Sequence, residues 1–280
     1  MPKVIILGAS NAIPTVDSEN THMVLTGNER TVLIDSPGGS SILRLEQSGL
    51  SYNDLTDIIV THFHPDHVSG IPLLLMDMWL MGRERPLIIH GLRYTIDRIK
   101  GMMDFFNWSF WPNFFPVKFH ILPLKEQAPV FDCSDFSIHS SPVKHFIPNI
   151  GLRINFKKSQ KTLVYSCDTE PCEEVVRLSK GADILVHEAT GDSPGHSSAK
   201  QAGQIASKAG VGRLYLIHYP TGSYAKGNLI AQARTEFSGT ITLAKDFMVL
   251  GFNKKAPLSQ SGKKAQRSPK KTRRISRPEP

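Results

Sequence analysis

The run Asp57-Ile58-Ile59-Val60-Thr61-His62-Phe63-His64-Pro65-Asp66-His67 constrains this chain more than any other stretch of it. Its opening is a continuous apolar segment of strand length, which reads as a buried strand ending at Thr61. The loop that follows presents four metal-binding side chains within six residues: His62, His64, Asp66 and His67. Pro65 restrains that loop, and Gly70 is expected to let the chain turn away. Imidazole and carboxylate are the ligand types of zinc and neighbouring first-row ions. A single histidine here would read as structural. The spacing His-x-His-x-Asp-His at the end of a buried strand reads as a metal loop.

One loop cannot enclose two cations, so further ligands must come from elsewhere in the chain. Eleven histidines are available, and strand ends are where layered α/β folds place their sites. Three candidates satisfy that condition. His145 follows the strand Phe136–Ser140 and Pro142-Val143-Lys144. Asp168 follows Leu163-Val164-Tyr165-Ser166-Cys167, and His218 ends Leu214-Tyr215-Leu216-Ile217.

Further strands are expected at Val4–Leu7, Met23–Thr26, Thr31–Ile34, Pro86–Ile89, Val117–Leu122, Leu152–Phe156, Ile184–Val186 and Phe247–Leu250. Helices are expected at Ser41–Gln47, after Pro171, after a Ser197 or Ser198 cap, and from Asn228. Many strands interleaved with helices imply a layered α/β architecture.

Charge divides the chain in two. It holds 33 Lys/Arg and 25 Asp/Glu, but ten of the bases and one acid lie between Lys254 and Pro280. That segment carries +9, and the 253 residues before it carry 23 bases and 24 acids, a net of −1. Residues 254–280 are rich in Lys, Arg, Ser and Pro and poor in large apolar groups, so a disordered basic tail is expected after a folded domain at 1–253. The tail reads either as a solubilising extension or as an arm for RNA, DNA or another polyanion.

No apolar run approaches the ~18 residues a membrane span needs; the best candidate, Ile71 to Met81, is short and contains Asp77. Cys133, Cys167 and Cys172 match no disulfide or zinc-ribbon framework, which favours a reducing compartment. A soluble, cytoplasmic protein is expected. The window Met102–Phe119 carries eight Phe or Trp residues. It reads first as core or a homodimer contact, second as an aromatic wall at the mouth of the site.

Several further segments, in order with the His62–His67 motif, resemble the ribonuclease Z-like branch of the metallo-β-lactamase superfamily over about residues 3–253. They are Leu7-Gly8-Ala9-Ser10-Asn11-Ala12-Ile13-Pro14, Pro142-Val143-Lys144-His145, Ser166-Cys167-Asp168-Thr169, His187-Glu188-Ala189-Thr190 and Gly195-His196-Ser197-Ser198. The resemblance implies a four-layer αββα sandwich. It implies one cation held by His62, His64 and His145, a second held by Asp66, His67 and His218, and Asp168 bridging both. Two zinc ions are the expected cofactors, with manganese or iron as alternatives.

The implied reaction is attack of a shared hydroxide on the phosphorus of a diester, with Asp66 orienting the nucleophile. His196 would assist the leaving group, with Glu188 behind it. His196 lies just before a helix start, whose free N–H groups are expected to favour a phosphate. Asp35, in Leu33-Ile34-Asp35-Ser36, resembles a supporting position behind the metal loop, and His187 a strand-end residue near the site. His22, His90, His120 and His139 read as structural.

Two departures stand out. Cys167 occupies a position that is usually Gly in the family, which could narrow the site or expose a thiol. Ribonuclease Z enzymes typically carry a long tRNA-gripping arm between the third metal motif and the bridging Asp. Here only residues 146–167 lie between His145 and Asp168, which leaves no room for it. The expected activity is therefore that of a phosphodiesterase resembling ribonuclease Z, a tRNA 3′-processing endonuclease, acting on RNA or a small phosphodiester. The alternatives are a small-substrate phosphodiesterase, an aryl sulfatase, or a lactone or ester hydrolase.

Overall fold

Apolar residues on consecutive positions of one strand must be buried on both of its faces, because successive side chains point to opposite sides. In the computed structural model, which describes residues 2–38, 40–225 and 227–252, that requirement is met by stacking two sheets and covering each with helices. The basic segment 254–280 and its expected disorder lie outside the described residues.

The first half of the chain supplies β1 (Lys3–Gly8), β2 (His22–Thr26), β3 (Thr31–Ile34), β4 (Asp57–Ile59), β5 (Leu87–Leu92) and β6 (Val117–Leu122). The second half supplies β7 (Ala128–Asp132), β8 (Phe136–Val143), β9 (Asn149–Phe156), β10 (Lys161–Tyr165), β11 (Ile184–Glu188), β12 (Arg213–Ile217) and β13 (Thr240–Leu243). A last short strand, β14 (Val249–Leu250), returns to the edge of the first sheet. Each sheet has seven strands, in the orders β14-β1-β2-β3-β4-β5-β6 and β13-β12-β11-β10-β9-β8-β7.

The alternation of faces is explicit. Val4 and Ile6 of β1, Met23 and Leu25 of β2, Leu163 and Tyr165 of β10, and Ile184 and Val186 of β11 fill the space between the sheets. Their neighbours Ile5, Leu7 and Val24 pack outward under the helices of the first sheet. Val164 and Leu185 do the same on the second. The helices are α1 (Ser41–Gln47), α2 (Pro65–Val68), α3 (Ile71–Leu80) and α4 (Arg93–Asp104) beside the first sheet, and α5 (Glu173–Ser179), α6 (Ala199–Ala209) and α7 (Leu229–Arg234) beside the second. The architecture is the four-layer αββα sandwich.

Strand directions fix where a site can lie. β3, β4, β5 and β6 run parallel to one another. β10, β11, β12 and β13 do the same, and β8 shares their direction because it is antiparallel to β9, itself antiparallel to β10. The carboxyl ends of β8, β10, β11 and β12 therefore open at one end of their sheet.

Several elements differ from the sequence reading. β7 has no counterpart in the sequence reading; it carries Pro129, which is tolerated at a sheet edge and beside a register shift between Pro129 and Phe131. β13, the opposite edge, alternates Thr with apolar residues and was also missed. Ile71–Leu80 is a short helix that buries Ile71, Leu74, Leu75 and Met78, and among the described residues no helix is long and apolar enough to cross a membrane. The aromatic window divides: Phe115 is buried, while Trp108, Trp111, Phe114 and Phe119 pack against the first sheet's outer core. Phe105, Phe106 and Phe110 are exposed.

Gly70 was expected to supply a turn, yet its backbone is ordinary right-handed helical, with φ −79° and ψ −14°. Its role is close approach. A Cβ there would lie 2.2 Å from the Gly38 carbonyl oxygen and 2.8 Å from that of Ser36, while the Gly70 N–H donates to Ser36 O at 2.8 Å. Gly70→Ala is expected to lower unfolding stability in urea by about 2 kcal/mol through overpacking. Gly101, in α4 with open space around its Cα, is the control. Gly101→Ala should leave stability unchanged or raise it by up to about 1 kcal/mol.

Candidate metal centre

Chain ends of buried strands meet here. β4 leads through Val60 and Thr61 into His62, and α2 begins at Pro65 with His64 as its N-cap and Pro at its first position. The short helix carries Asp66 and His67. From the second sheet come His145 after β8, Asp168 after β10, Glu188 at the end of β11 and His218 after β12. The donor atoms of His62, His64 and His145 lie within 4.8 Å of one another, and so do those of Asp66, His67, Asp168 and His218. Asp168 Oδ2 stands 4.0 Å from His62 Nε2, 3.5 Å from His67 Nε2 and 3.5 Å from His218 Nε2. The two groups thus adjoin through one carboxylate.

The hydrogen bonds behind the rings decide which nitrogen faces inward. His67 Nδ1–H donates to Asp35 Oδ2 at 2.8 Å, and His145 Nδ1–H donates to the Gly195 carbonyl at 2.7 Å. Thr190 Oγ1 donates to the His218 carbonyl at 2.8 Å, so it accepts from His218 Nδ1–H at 2.8 Å. Thr61 Oγ1 donates to Asp35 Oδ2 at 2.9 Å, so it accepts from His62 Nδ1–H at 3.1 Å. Four rings are thereby fixed with Nε2 turned to the centre. His64 turns Nδ1 inward instead, 3.1 Å from His62 Nε2 and 3.0 Å from His145 Nε2.

Electrostatics favour a cation. Burial pushes His62 well below the ordinary imidazole range and also lowers His64 and His145. The three inward nitrogens, His64 Nδ1 lying within 3.1 Å of both Nε2 atoms, form a set that one cation can share. Burial also opposes charge on His67 and His218, but the carboxylates of Asp168 with Asp35, and of Asp168 with Asp66, outweigh it and raise both. Burial likewise opposes ionisation of Asp168, yet the charges of His218 and His67 hold it well below the usual carboxylate range. His67 Nε2 and Asp168 Oδ1 are buried with no hydrogen-bond partner. Buried polar atoms are rarely left so, and a divalent cation satisfies both. The donor set fits a metal.

Asp35 is the residue on which the first half of this arrangement rests. Its carboxylate accepts Thr61 N–H at 2.8 Å, Thr61 Oγ1–H and His67 Nδ1–H. Asp35, Cys167 and His218 all have positive φ, at 63°, 55° and 53°. Each directly follows, or follows within two residues, the end of its strand. Left-handed backbone at Cys167 accounts for the Gly expected at that position. Its thiol is fully buried, so of the two alternatives, a narrowed site or an exposed thiol, the second does not hold. Burial pushes the thiol up, and Sγ lies 3.6 Å from His62 Nδ1, behind the ring and away from its inward nitrogen. Cys167 is packing, although it lies near enough to His62 and His67 to count among metal-binding groups.

Beside the second group, Glu188 is fully buried and collects four N–H donors. They are Thr169 N–H, Thr190 N–H, Ser197 N–H and His196 Nδ1–H, the last at 3.0 Å. The His196 ring stacks on His218 with centroids 5.9 Å apart and a 16° interplanar angle. The following helix start is partly occupied, while the N–H groups of Ala199 and Lys200, the first two of α6, meet no protein acceptor among the described residues. Ser197 N–H is held by Glu188, Ser198 N–H by Gln201 Oε1, and Gln201 N–H by Ser198 Oγ in a capping box. His187 is buried near this end of β11 with Nδ1 on the Glu188 carbonyl.

The polar partners Thr61, Thr190 and the Gly195 carbonyl were not singled out from the sequence. Thr and backbone groups carry no ligand-type signature, and only their position after strands or beside His196 hints at them.

Imidazole and carboxylate donors gathered in two adjoining sets at one end of an αββα sandwich define a metal-dependent hydrolase of the metallo-β-lactamase fold. The chain belongs to the β-lactamase superfamily: the profile described as "Beta-lactamase superfamily domain" matches residues 30–219. Among curated relatives, the ribonuclease Z of Methanothermobacter thermautotrophicus is 26% identical over 306 residues, covering 89% of this chain and 96% of that protein. The ribonuclease Z of Thermococcus sibiricus is 29% identical over 313 residues, covering 92% and 99%. Among solved structures, the metallo-β-lactamase fold protein YhfI from Bacillus subtilis superposes with a TM-score of 0.74 at 24% identity, covering 89% of this chain and 98% of that one. Human tRNase Z, short form, superposes with a TM-score of 0.72 at 26% identity, covering 90% and 100%.

Supporting partners of metal-bound histidines govern affinity, so removing one weakens the metal about 10- to 100-fold. Asp35→Asn is expected to raise the dissociation constant for a divalent cation by at least about tenfold, read by competition with a chromogenic chelator. Unchanged affinity would show that Asp35 only supports the fold.

Proposed function

We propose that this chain is a dinuclear metal-dependent phosphodiester hydrolase of the ribonuclease Z type, with RNA as its substrate class and two zinc ions as its cofactors. The observation that carries this reading is His196. Its Nδ1–H is fixed on the buried Glu188 carboxylate, and its ring lies against His218 in the second ligand set. Names borne by relatives over nearly the whole chain support the same substrate class.

In this reading His62, His64 and His145 hold one cation, Asp66, His67 and His218 the other, and Asp168 lies between them. Bound there, two divalent cations supply Lewis-acid charge to a phosphoryl oxygen and lower the pKa of water enough for attack at neutral pH. Asp66, half-buried at the first turn of α2, orients the attacking water. Glu188 holds His196 so that Nε2 is the atom that presents a proton. Burial opposes the charged form of His196, but the hydrogen bond and charge of Glu188 outweigh it and raise its pKa. A proton is therefore ready for the departing oxygen.

The same reading divides the chain into a hydrolase domain at 1–253 and a basic tail at 254–280. The body is near neutral, so the tail's +9 supplies the long-range attraction for a polyanion. The connection between His145 and Asp168 is the hairpin of β9 and β10, so the tail takes the electrostatic role that an arm would have. The three free thiols support a reducing, cytoplasmic setting.

Leaving groups test the role of His196. With the zinc-loaded protein, His196→Ala should slow a diester that expels an alkoxide by about 100-fold or more. A p-nitrophenyl diester, whose leaving group departs without a proton, should lose far less. Equal losses on both would remove His196 from the reaction, and no wild-type turnover of either diester would remove the phosphodiesterase reading. Separately, deleting 254–280 should flatten the salt dependence of RNA binding while small-diester rates stay within twofold (about the scatter of such rates). An unchanged salt slope would leave the tail without that role.

A further inference from the structure

Phe146 is a large apolar ring left mostly open to solvent. It follows the ligand-set residue His145 directly, and it is 63% exposed. Its ring touches the two histidines that bound the leaving-group side of the site. The centroid is 5.3 Å from that of His145 at 55°, and 6.4 Å from that of His196 at 76°. Beneath it lies Gly195, whose φ is +76° and whose Cβ, if present, would stand 2.4 Å from Phe146 Cε2. The missing side chain at Gly195 makes the seat on which the ring rests.

The backbone around the ring is braced. Glu170 N–H donates to the Lys144 carbonyl at 2.8 Å, and the Lys144 ammonium pairs with Glu170 Oε2. Glu170 Oε1 accepts Gly195 N–H at 3.0 Å, and the Gly195 carbonyl accepts His145 Nδ1–H at 2.7 Å. Lys144, Glu170 and Gly195 thus close a loop of polar contacts that fixes both the position of Phe146 and the inward nitrogen of His145. An aromatic side chain held in place yet left open to solvent has one edge on the reacting centre and its remaining surface free.

We propose that Phe146 is a stacking platform for an aromatic ring carried by the leaving group, which for a nucleic acid is the base of the departing nucleotide. This rests on the phosphodiester reading above and adds a specificity-determining residue to it. Aromatic faces stack on any base without reading its edge, so the platform discriminates base from no base rather than one base from another.

The test uses the full-length zinc-loaded protein and paired substrates: a dinucleoside monophosphate, and its analogue with an abasic tetrahydrofuran sugar on the leaving side. Wild type should favour the base-bearing substrate. In Phe146→Ala the ratio of the two kcat/KM values should fall about tenfold, mainly through KM, and Phe146→Tyr should restore it. A ratio unmoved by Phe146→Ala overturns the platform.

Direct binding supplies a second readout that needs no turnover. Adenosine 3′- and 5′-monophosphates are titrated against their abasic counterparts, and at least one isomer should show a base preference in wild type that is lost in Phe146→Ala. Equal binding of base-bearing and abasic ligands by wild type overturns the platform. Base-dependent binding that is lost in Phe146→Ala, without cleavage of any diester, would instead sink the reaction and leave the subsite standing.

Discussion

Five imidazoles and two carboxylates turned toward one another at the end of the sandwich are the constraint on which everything else depends. A buried ring nitrogen needs a partner, and a buried carboxylate needs positive charge or several donors to remain ionised. No Lys or Arg side chain among the described residues forms an ion pair with Asp66 or Asp168; their recorded partners are histidines alone. Cations resolve both problems together. They satisfy the unpartnered His67 Nε2 and Asp168 Oδ1, and they displace protons from histidines that the neighbouring carboxylates otherwise make basic. Metal bound at these residues would therefore stabilise this end of the molecule.

The fold holds this unfavourable arrangement by strain as well as by packing. Asp35, Cys167 and His218 carry left-handed backbone at the ends of β3, β10 and β12. Non-glycine residues in that region cost on the order of 1–3 kcal/mol each and persist where the surroundings over-determine them. Here the surroundings are three buried layers of apolar side chains on strands that are covered on both faces. Each strained residue redirects the chain sharply as it leaves the sheet. At His218 that turn aims a side chain at the centre, and at Asp35 it aims one at the outward nitrogen of His67. In the third it hands the next residue, Asp168, to the same place.

Much of this was legible in the sequence because the relevant signals are local. The His62–His67 spacing follows a strand, and α1, the Ser198 cap and the Asn228 cap carry helix signals within a few residues. His145, Asp168 and His218 were recoverable because each follows a clearly apolar strand. What could not be read is set by contacts distant in sequence. β7 is a strand only because its edge position tolerates Pro129. Gly70 is required by the approach of Ser36 and Gly38 across a gap no local pattern records. At the helix start after His196 the sequence does not reveal that Glu188 and Gln201 hold the N–H groups of Ser197 and Ser198, which leaves those of Ala199 and Lys200 without a protein acceptor. The aromatic window could not be apportioned between core and surface from composition, since Phe115 and Phe110 differ only in where the chain carries them.

Anomalous diffraction from crystals grown with zinc, recorded on both sides of the zinc absorption edge, tests the central claim most directly. Two peaks are predicted, about 3.5–4 Å apart, one among His62, His64 and His145 and the other among Asp66, His67 and His218, with Asp168 touching both. Density at neither position, or a lone peak placed away from these side chains, would contradict it.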